Sequence, residues 1–380
     1  MSEKKIVIAT VLKPVNDTRM YEKFALTLCK VKGFSINIVG FNGKIPQNGK
    51  INYFPLFGFQ RTNLLKRSLA PLKFLLSLIK IRPDVIIVCT WELLISSALY
   101  KIFTGARLIY DIQENYYLNI VCATSYPKLL RTMGGLFIRT VERLSGPLIS
   151  HYILAERIYT QQIRFTSGKC TVLENKLKRP SGRTLKQRDE KMLLFTGTIA
   201  RETGVFEAIA LARILHGTNS AFHLVIAGFC ARKKDFQQLL KIAQEDDFVR
   251  IIGGNQLVPH EEIIELIQKA GYGVVHYAQQ DNFKGKVPTK LFEYTGLELP
   301  VLLLDNQWAE WCAPYDAACV LSLDETPVEI LEKITSMKYY TKVPGDEVLW
   351  KQEEGKLVEI TAGCLNKIPL NPPAGLRVKK

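Results

Sequence analysis

Histidine is scarce in this chain, with five in 380 residues, and His151, His216, His223 and His260 are scattered with no shared motif. No cluster with metal-ligand spacing is visible. The eight cysteines form no C-x-x-C pair, and several sit in strand-like apolar runs where a free thiol acts as a small hydrophobe. That pattern points to the reducing cytoplasm. No apolar run approaches the ~18 uncharged residues of a membrane span. The apolar run near the N-terminus is only strand-length, so no signal peptide is expected. The phosphate loop GxxxxGK[ST] is missing, which argues against a P-loop NTPase. Also missing is a strand followed by GxGxxG with an acidic residue about 20 positions on, which argues against a dinucleotide oxidoreductase. Acidic residues are short on one side only. Residues 1–176 hold 10 Asp and Glu against 25 Lys and Arg, whereas residues 177–380 hold 26 of each, so the whole net charge of +15 lies in the first half.

What is present is alternation of strand and helix, the pattern of parallel doubly wound sheets. A length of 380 residues exceeds one ordinary core and suits two domains, and 47% hydrophobic residues suffice for both. Strands are expected near 6–12, 35–40, 84–89, 107–111, 151–155 and 170–174, then 191–197, 222–228, 249–252, 272–276, 299–304 and 317–322. The polar stretch 177–190 lacks apolar periodicity and reads as a linker. It would separate a Rossmann-like domain (1–176) from a second (191–349), followed by a helix (350–364) and a Pro-rich tail (365–380).

Two segments carry the chemistry. Pro288–Val301 reads as a helix opening with Pro288 at its first position, followed by a buried strand. Free amides around Pro288 and Thr289 carry the positive end of the helix dipole. Lys290 and Glu293, three apart, share a helix face. A cation and a carboxylate there could hold a phosphate and the neighbouring ribose hydroxyls. Upstream, the apolar strand 192–197 runs into Gly197-Thr198-Ile199-Ala200-Arg201-Glu202-Thr203-Gly204, whose small residues let amides approach an anion.

In this order the two segments resemble the C-terminal domain of glycosyltransferase family 4. The resemblance extends over nearly the whole chain and is strongest toward transferases of bacterial surface polysaccharides. Val15-Asn16-Asp17-Thr18-Arg19 looks like the family's donor-cleft loop. Asp111-Ile112-Gln113-Glu114 looks like its DxHE motif, and the helix beginning at Trp350 looks like the one that returns to the N-terminal domain. The resemblance implies the GT-B fold, with two Rossmann-like doubly wound α/β domains facing across a cleft. It implies transfer of a sugar from a nucleotide diphospho-sugar to an acceptor, with retention, without a metal and with no other cofactor. Gln113, Glu114, Lys290 and Glu293 would carry catalysis. Asn16, Gly197, Thr198, Arg201, Lys284, Pro288, Thr289, Lys290 and Glu293 would hold the donor.

The chain departs from the family pattern in three places. Position 285 is Gly where a first glutamate is usual, leaving Glu293 alone. Thr198 and Thr203 stand where basic residues are common, which makes Arg201, Lys284 and Lys286 the candidates for the missing cation. Gln113 replaces a histidine, and an amide cannot titrate near neutrality. His276 ends a strand and reads equally as structural or sugar-contacting, and Asp17 reads as a helix N-cap. A nucleotide-sugar epimerase or hydrolase of the same fold is the main alternative reading, and nucleic-acid binding a minor one.

Segment 61–82 holds six basic residues, no acidic ones and a leucine-rich face. Segment 128–143 repeats the pattern more weakly. Such helices can lie on an anionic bilayer. The expectation is a cytoplasmic protein, peripheral on the inner face of the membrane, with a lipid-linked acceptor sugar and no nucleic-acid partner.

Overall fold

A computed structural model describes residues 3–45, 49–58, 67–123, 127–166, 168–180 and 187–366. It divides into two α/β units, Met1–Asn175 with Trp350–Lys380, and Lys176–Leu349.

The first unit holds a seven-stranded sheet. Its strands are β1 (Lys4–Pro14), β2 (Phe34–Phe41), β3 (Ile51–Phe57), β4 (Val85–Val88), β5 (Arg107–Ile112), β6 (His151–Leu154) and β7 (Cys170–Val172). They lie in the order β3-β2-β1-β4-β5-β6-β7, all parallel. Helices cover both faces, so the central strands are unbroken apolar runs; Ile6 to Ala9 and Val85 to Val88 are fully buried. On one face Val7, Ala9, Ile86 and Val88 pack under α2 (Ala70–Ile81), α3 (Leu94–Thr104) and α5 (Lys128–Ser145). The other face is covered by a π-helical stretch Thr18–Ala25 running into α1 (Leu26–Leu28), together with α13 (Lys351–Asn366). The Asp17 carboxylate caps that stretch, accepting from the Arg19 and Met20 amides at 3.0 and 3.2 Å. Trp350 stacks on Phe24 and donates to Thr27 Oγ1 at 3.0 Å, tying α13 to this sheet. Short helices α4 (Tyr116–Val121) and α6 (Tyr159–Gln162) fill connections.

Strand β3 was not expected. Pro55 interrupts its pattern, but β3 is an edge strand, where a missing donor on the outer side breaks no ladder.

The second unit repeats the plan with six strands in the order β10-β9-β8-β11-β12-β13. They are β8 (Asp189–Thr198), β9 (His223–Phe229), β10 (Val249–Gly254), β11 (Ala270–Val275), β12 (Val301–Leu303) and β13 (Ala318–Val320). Helices α7 (Val205–Thr218), α8 (Lys233–Glu245) and α12 (Pro327–Ser336) pack on one face. On the other lie α9 (His260–Lys269), α10 (Thr289–Gly296) and α11 (Ala309–Cys312). Leu177, read from sequence as the start of a linker, is buried in this core and bridges to Leu349. Residues 181–186 of that stretch and 367–380 of the tail lie outside the described residues.

Candidate functional site

Open parallel sheets bind ligands beyond the carboxyl ends of their strands, where the strand order reverses. In the second unit that point lies between β8 and β11. Strand β8 ends at Gly197-Thr198, and Gly197, Gly228 and Gly253 stand side by side in register on β8, β9 and β10. A Cβ on Gly228 would lie 1.8 Å from the Gly197 carbonyl oxygen, so this edge is obliged to be bare backbone. The loop after β8 is stapled by Thr203, whose hydroxyl donates to the Thr198 carbonyl at 2.7 Å and accepts from the Ala200 amide at 3.1 Å. Gly204, at φ 83°, then lets the loop press on the end of β11, where a Cβ would come within 2.6 Å of His276. Thr203 therefore does structural work. His276 Nδ1 lies 3.0 Å from Asp305 Oδ2, which joins the ends of β11 and β12.

Helix α10 supplies the charged groups. Pro288 takes the N-cap position (φ −61°, ψ 143°), one place earlier than expected, because its extended ψ belongs to the incoming loop. Lys290 is 5% exposed, and its Nζ has no hydrogen-bond partner among the described residues. It sits 3.9 Å from the centroid of the Phe195 ring and 5.4 Å from that of Tyr277. Its Cε is 3.9 Å from the place a Gly197 Cβ would occupy, so cation and bare strand end lie side by side. Burial lowers the Lys290 pKa to about 7, against the opposing pull of Glu293. Aromatic faces offset part of the cost of burying an ammonium but give it no acceptor. Glu293 is 7% exposed, and its Oε1 lies 3.0 Å from His260 Nε2 on α9. Tyr294 anchors α10 to β8, its hydroxyl 2.9 Å from Thr196 Oγ1.

No family model matches the chain, and no curated protein does. Solved structures do. HepE of Anabaena, in complex with UDP-glucose, superposes with a TM-score of 0.63 at 10% identity, covering 94% of this chain and 99% of that one. WaaG, a glycosyltransferase involved in lipopolysaccharide biosynthesis, gives 0.61 at 14% identity, covering 96% and 100%. A Listeria monocytogenes protein described as a UDP-N-acetylglucosamine 2-epimerase gives 0.57 at 10%, covering 98% and 99%. The fold is GT-B. Identities this low carry the fold and nothing finer.

Of the residues expected at the site, Gly197, Thr198, Pro288, Thr289, Lys290 and Glu293 gather at this one sheet edge. Of the three candidate replacement cations, Arg201 and Lys284 are surface groups and Lys286 is half-buried in the loop before α10. Arg201 is exposed, donates to Gln238 Oε1 at 3.0 Å and lies over the Phe206 ring, and Lys284 is exposed in the loop before α10. Asn16, Gln113 and Glu114 belong to the first unit. Asn16 is half-buried just ahead of the Asp17 cap. Gln113 Nε2 donates to Asp111 Oδ2 at 2.8 Å, and Asp111 is fully buried in a two-bond pair with Arg19 at 2.9 and 2.7 Å. That amide nitrogen is thus committed to an internal ion pair. Glu114 is exposed, with Oε2 accepting from Asn119 Nδ2 at 3.2 Å. His260, Phe195 and Tyr277 were not singled out for this site. The apolar strand read as core, and nothing in the local sequence around His260 ties it to Glu293.

Proposed function

We propose that the protein is a glycosyltransferase that takes its sugar from a nucleotide diphospho-sugar bound at the β8–β11 edge of the second unit. The observation that carries this reading is the buried Nζ of Lys290, without a hydrogen-bond partner among the described residues, beside the bare end of β8. A buried cation without an acceptor is a poor structural device and a good anion receptor. The diphosphate would meet Lys290, the amides of the Gly197–Thr198 turn and the first turn of α10. Glu293 would accept from ribose hydroxyls through the oxygen not facing His260, a charge-assisted interaction. As the glycosidic bond breaks, negative charge builds on the leaving diphosphate, so the same groups bind the transition state more strongly than the ground state.

Membership of family 4, retention of configuration, independence of metal, and roles for Asn16, Gln113 and Glu114 toward the substrates rest on the sequence resemblance. So does an acceptor of the lipid-linked or surface-polysaccharide class. HepE, crystallised with UDP-glucose, supports the donor class, and the Listeria epimerase keeps isomerisation as the competing chemistry.

Calorimetry with uridine, adenosine and guanosine diphospho-sugars tests the site. Lys290→Ala and Glu293→Gln are each expected to weaken binding roughly ten- to a hundredfold, the cost of a charge-assisted hydrogen bond. Folded variants that keep wild-type affinity for every nucleotide sugar that binds would remove both residues from the site. Product analysis with and without acceptor separates transfer from epimerisation or hydrolysis. Retention predicts a first-formed product with the donor's anomeric configuration by NMR, formed equally well in chelator.

A further inference from the structure

Helices that cover a sheet normally bury one apolar stripe and turn a polar face outward. The layer of α2, α3 and α5 does not. Its inner side chains, Phe74, Leu78, Leu94 and Val141 among them, pack on the first sheet. Its outer faces are apolar as well. Helix α2 exposes Leu72, Leu76 and Ile79; α3 exposes Leu99, Ile102 and Phe103, the last 84% exposed; α5 exposes Leu129, Leu136 and Phe137. Fourteen of the nineteen large apolar side chains exposed among the described residues lie on these three helices or at the N-cap of α2. Helix α3 packs against both α2 and α5, so the surface is continuous.

Charge on this layer has one sign. The only carboxylate within the three helices is Glu142, which is 2% exposed, whereas Lys73, Lys80, Lys128 and Arg143 are all exposed. A cavity of about 810 Å³ opens at the end of α2 and α3, with Ile79, Leu99 and Phe103 lining it together with Arg82 and Arg107. Neither arginine side chain has a hydrogen bond or ion pair among the described residues. The cavity's one carboxylate, Asp84, is already taken by Lys4 Nζ at 3.0 Å and the Lys5 amide at 2.9 Å.

We propose that this face docks on an anionic lipid bilayer, and that the cavity receives an acyl chain whose phosphate lies against Arg82 and Arg107. No helix among the described residues is long and apolar enough to cross a membrane, so the contact is with the surface. Charge decides the occupant. A second copy would bring the same surplus of positive charge against itself, whereas an anionic bilayer complements it. Each Lys or Arg near such a surface adds to the gain from buried apolar area. The docking does not depend on sugar transfer by the second unit.

Two basic positions of segment 61–82 are poor handles. Lys66 lies outside the described residues, and Arg67 is paired with Glu92. The test is flotation of the full chain with phosphatidylcholine vesicles, with and without phosphatidylglycerol, alongside the variants Leu72→Asp with Phe103→Asp and Arg82→Glu with Arg107→Glu. Wild-type protein is expected to float with the anionic vesicles and to be released as salt rises. The apolar pair should lose at least tenfold in partitioning, and the arginine pair should lose the preference for anionic lipid. Thermal unfolding by circular dichroism should be unchanged, since all four side chains reach the surface or the open cavity. Should the Asp pair fail to fold, Leu72→Ser with Phe103→Ser makes the same test. Equal flotation with neutral and anionic lipid, or variants that float as wild type does, would overturn the proposal. So would a dimer, seen by ultracentrifugation, that the apolar variants abolish.

Discussion

Two buried cations sit beyond the strand ends of two sheets wound on the same plan, and their surroundings differ. In the first unit Arg19, 2% exposed, donates twice to Asp111 and once to the Leu173 carbonyl. Burial works against its charge, but Asp111 foremost, with Cys89 and Asp17, outweighs that, and its pKa is raised. In the second unit Lys290 is buried almost as deeply, has aromatic rings around it and no hydrogen-bond acceptor among the described residues, and its pKa falls to about 7. An ion whose hydrogen bonds are internal stabilises the fold it belongs to. An ion left without an acceptor weakens its own fold and gains when an anion arrives. By that difference the first cluster is a structural ion pair, and the second is the group to which the proposed function gives the donor's anion.

The largest effect should come from the first cluster. Asp111→Ala strands Arg19 without its counterion and should lower stability by about 3–5 kcal/mol, the usual cost of breaking a buried pair. Urea denaturation measures it. A variant that keeps its stability and loses only ligand binding would erase the contrast between the two units.

Lys290→Met should do the reverse, weakening nucleotide-sugar binding by about 1.5–3 kcal/mol while raising the stability of the free protein. The pH dependence has a definite sign. Between about 7 and 10.5 the folded wild type binds fewer protons than the unfolded chain, so raising pH through that window stabilises it. The gain from Lys290→Met should therefore be greatest at pH 7 and below and shrink toward pH 10.5, read as melting temperatures of both proteins.

Removing a positioning group should cost less. His260→Ala frees Glu293 from its 3.0 Å contact and should reduce donor affinity several-fold, about 1 kcal/mol, by calorimetry. Arg201→Ala, which removes an exposed group already bonded to Gln238, should change affinity less than His260→Ala. The opposite ranking would move the anion-binding cation from α10 to the loop after β8.

What the sequence disclosed follows from how local each signal is. Central strands announce themselves as apolar runs because both faces are covered, whereas β3, with Pro55 and an open edge, does not. Lys290 and Glu293 were legible together because helix spacing brings them to one face. The pairing of Glu293 with His260 joins two helices 33 positions apart, and that of Arg19 with Asp111 joins groups 92 apart. No periodicity encodes either. For the same reason the motif holding Gln113 could be read as a substrate contact, although its amide nitrogen serves the Arg19–Asp111 pair.

The proposed function makes Lys290 the receptor for the donor's diphosphate. Titrating the protein with a nucleotide diphospho-sugar at pH 8 in buffers of different ionisation enthalpy counts the protons taken up, since that ligand has no ionisation of its own near neutrality. With the free lysine at about 7, wild type should take up close to one proton on binding, and affinity should fall by up to tenfold per unit as pH rises above 7. Lys290→Met should bind weakly and take up none. Binding of undiminished affinity in the Met variant, with no proton taken up by wild type, would place the diphosphate away from Lys290.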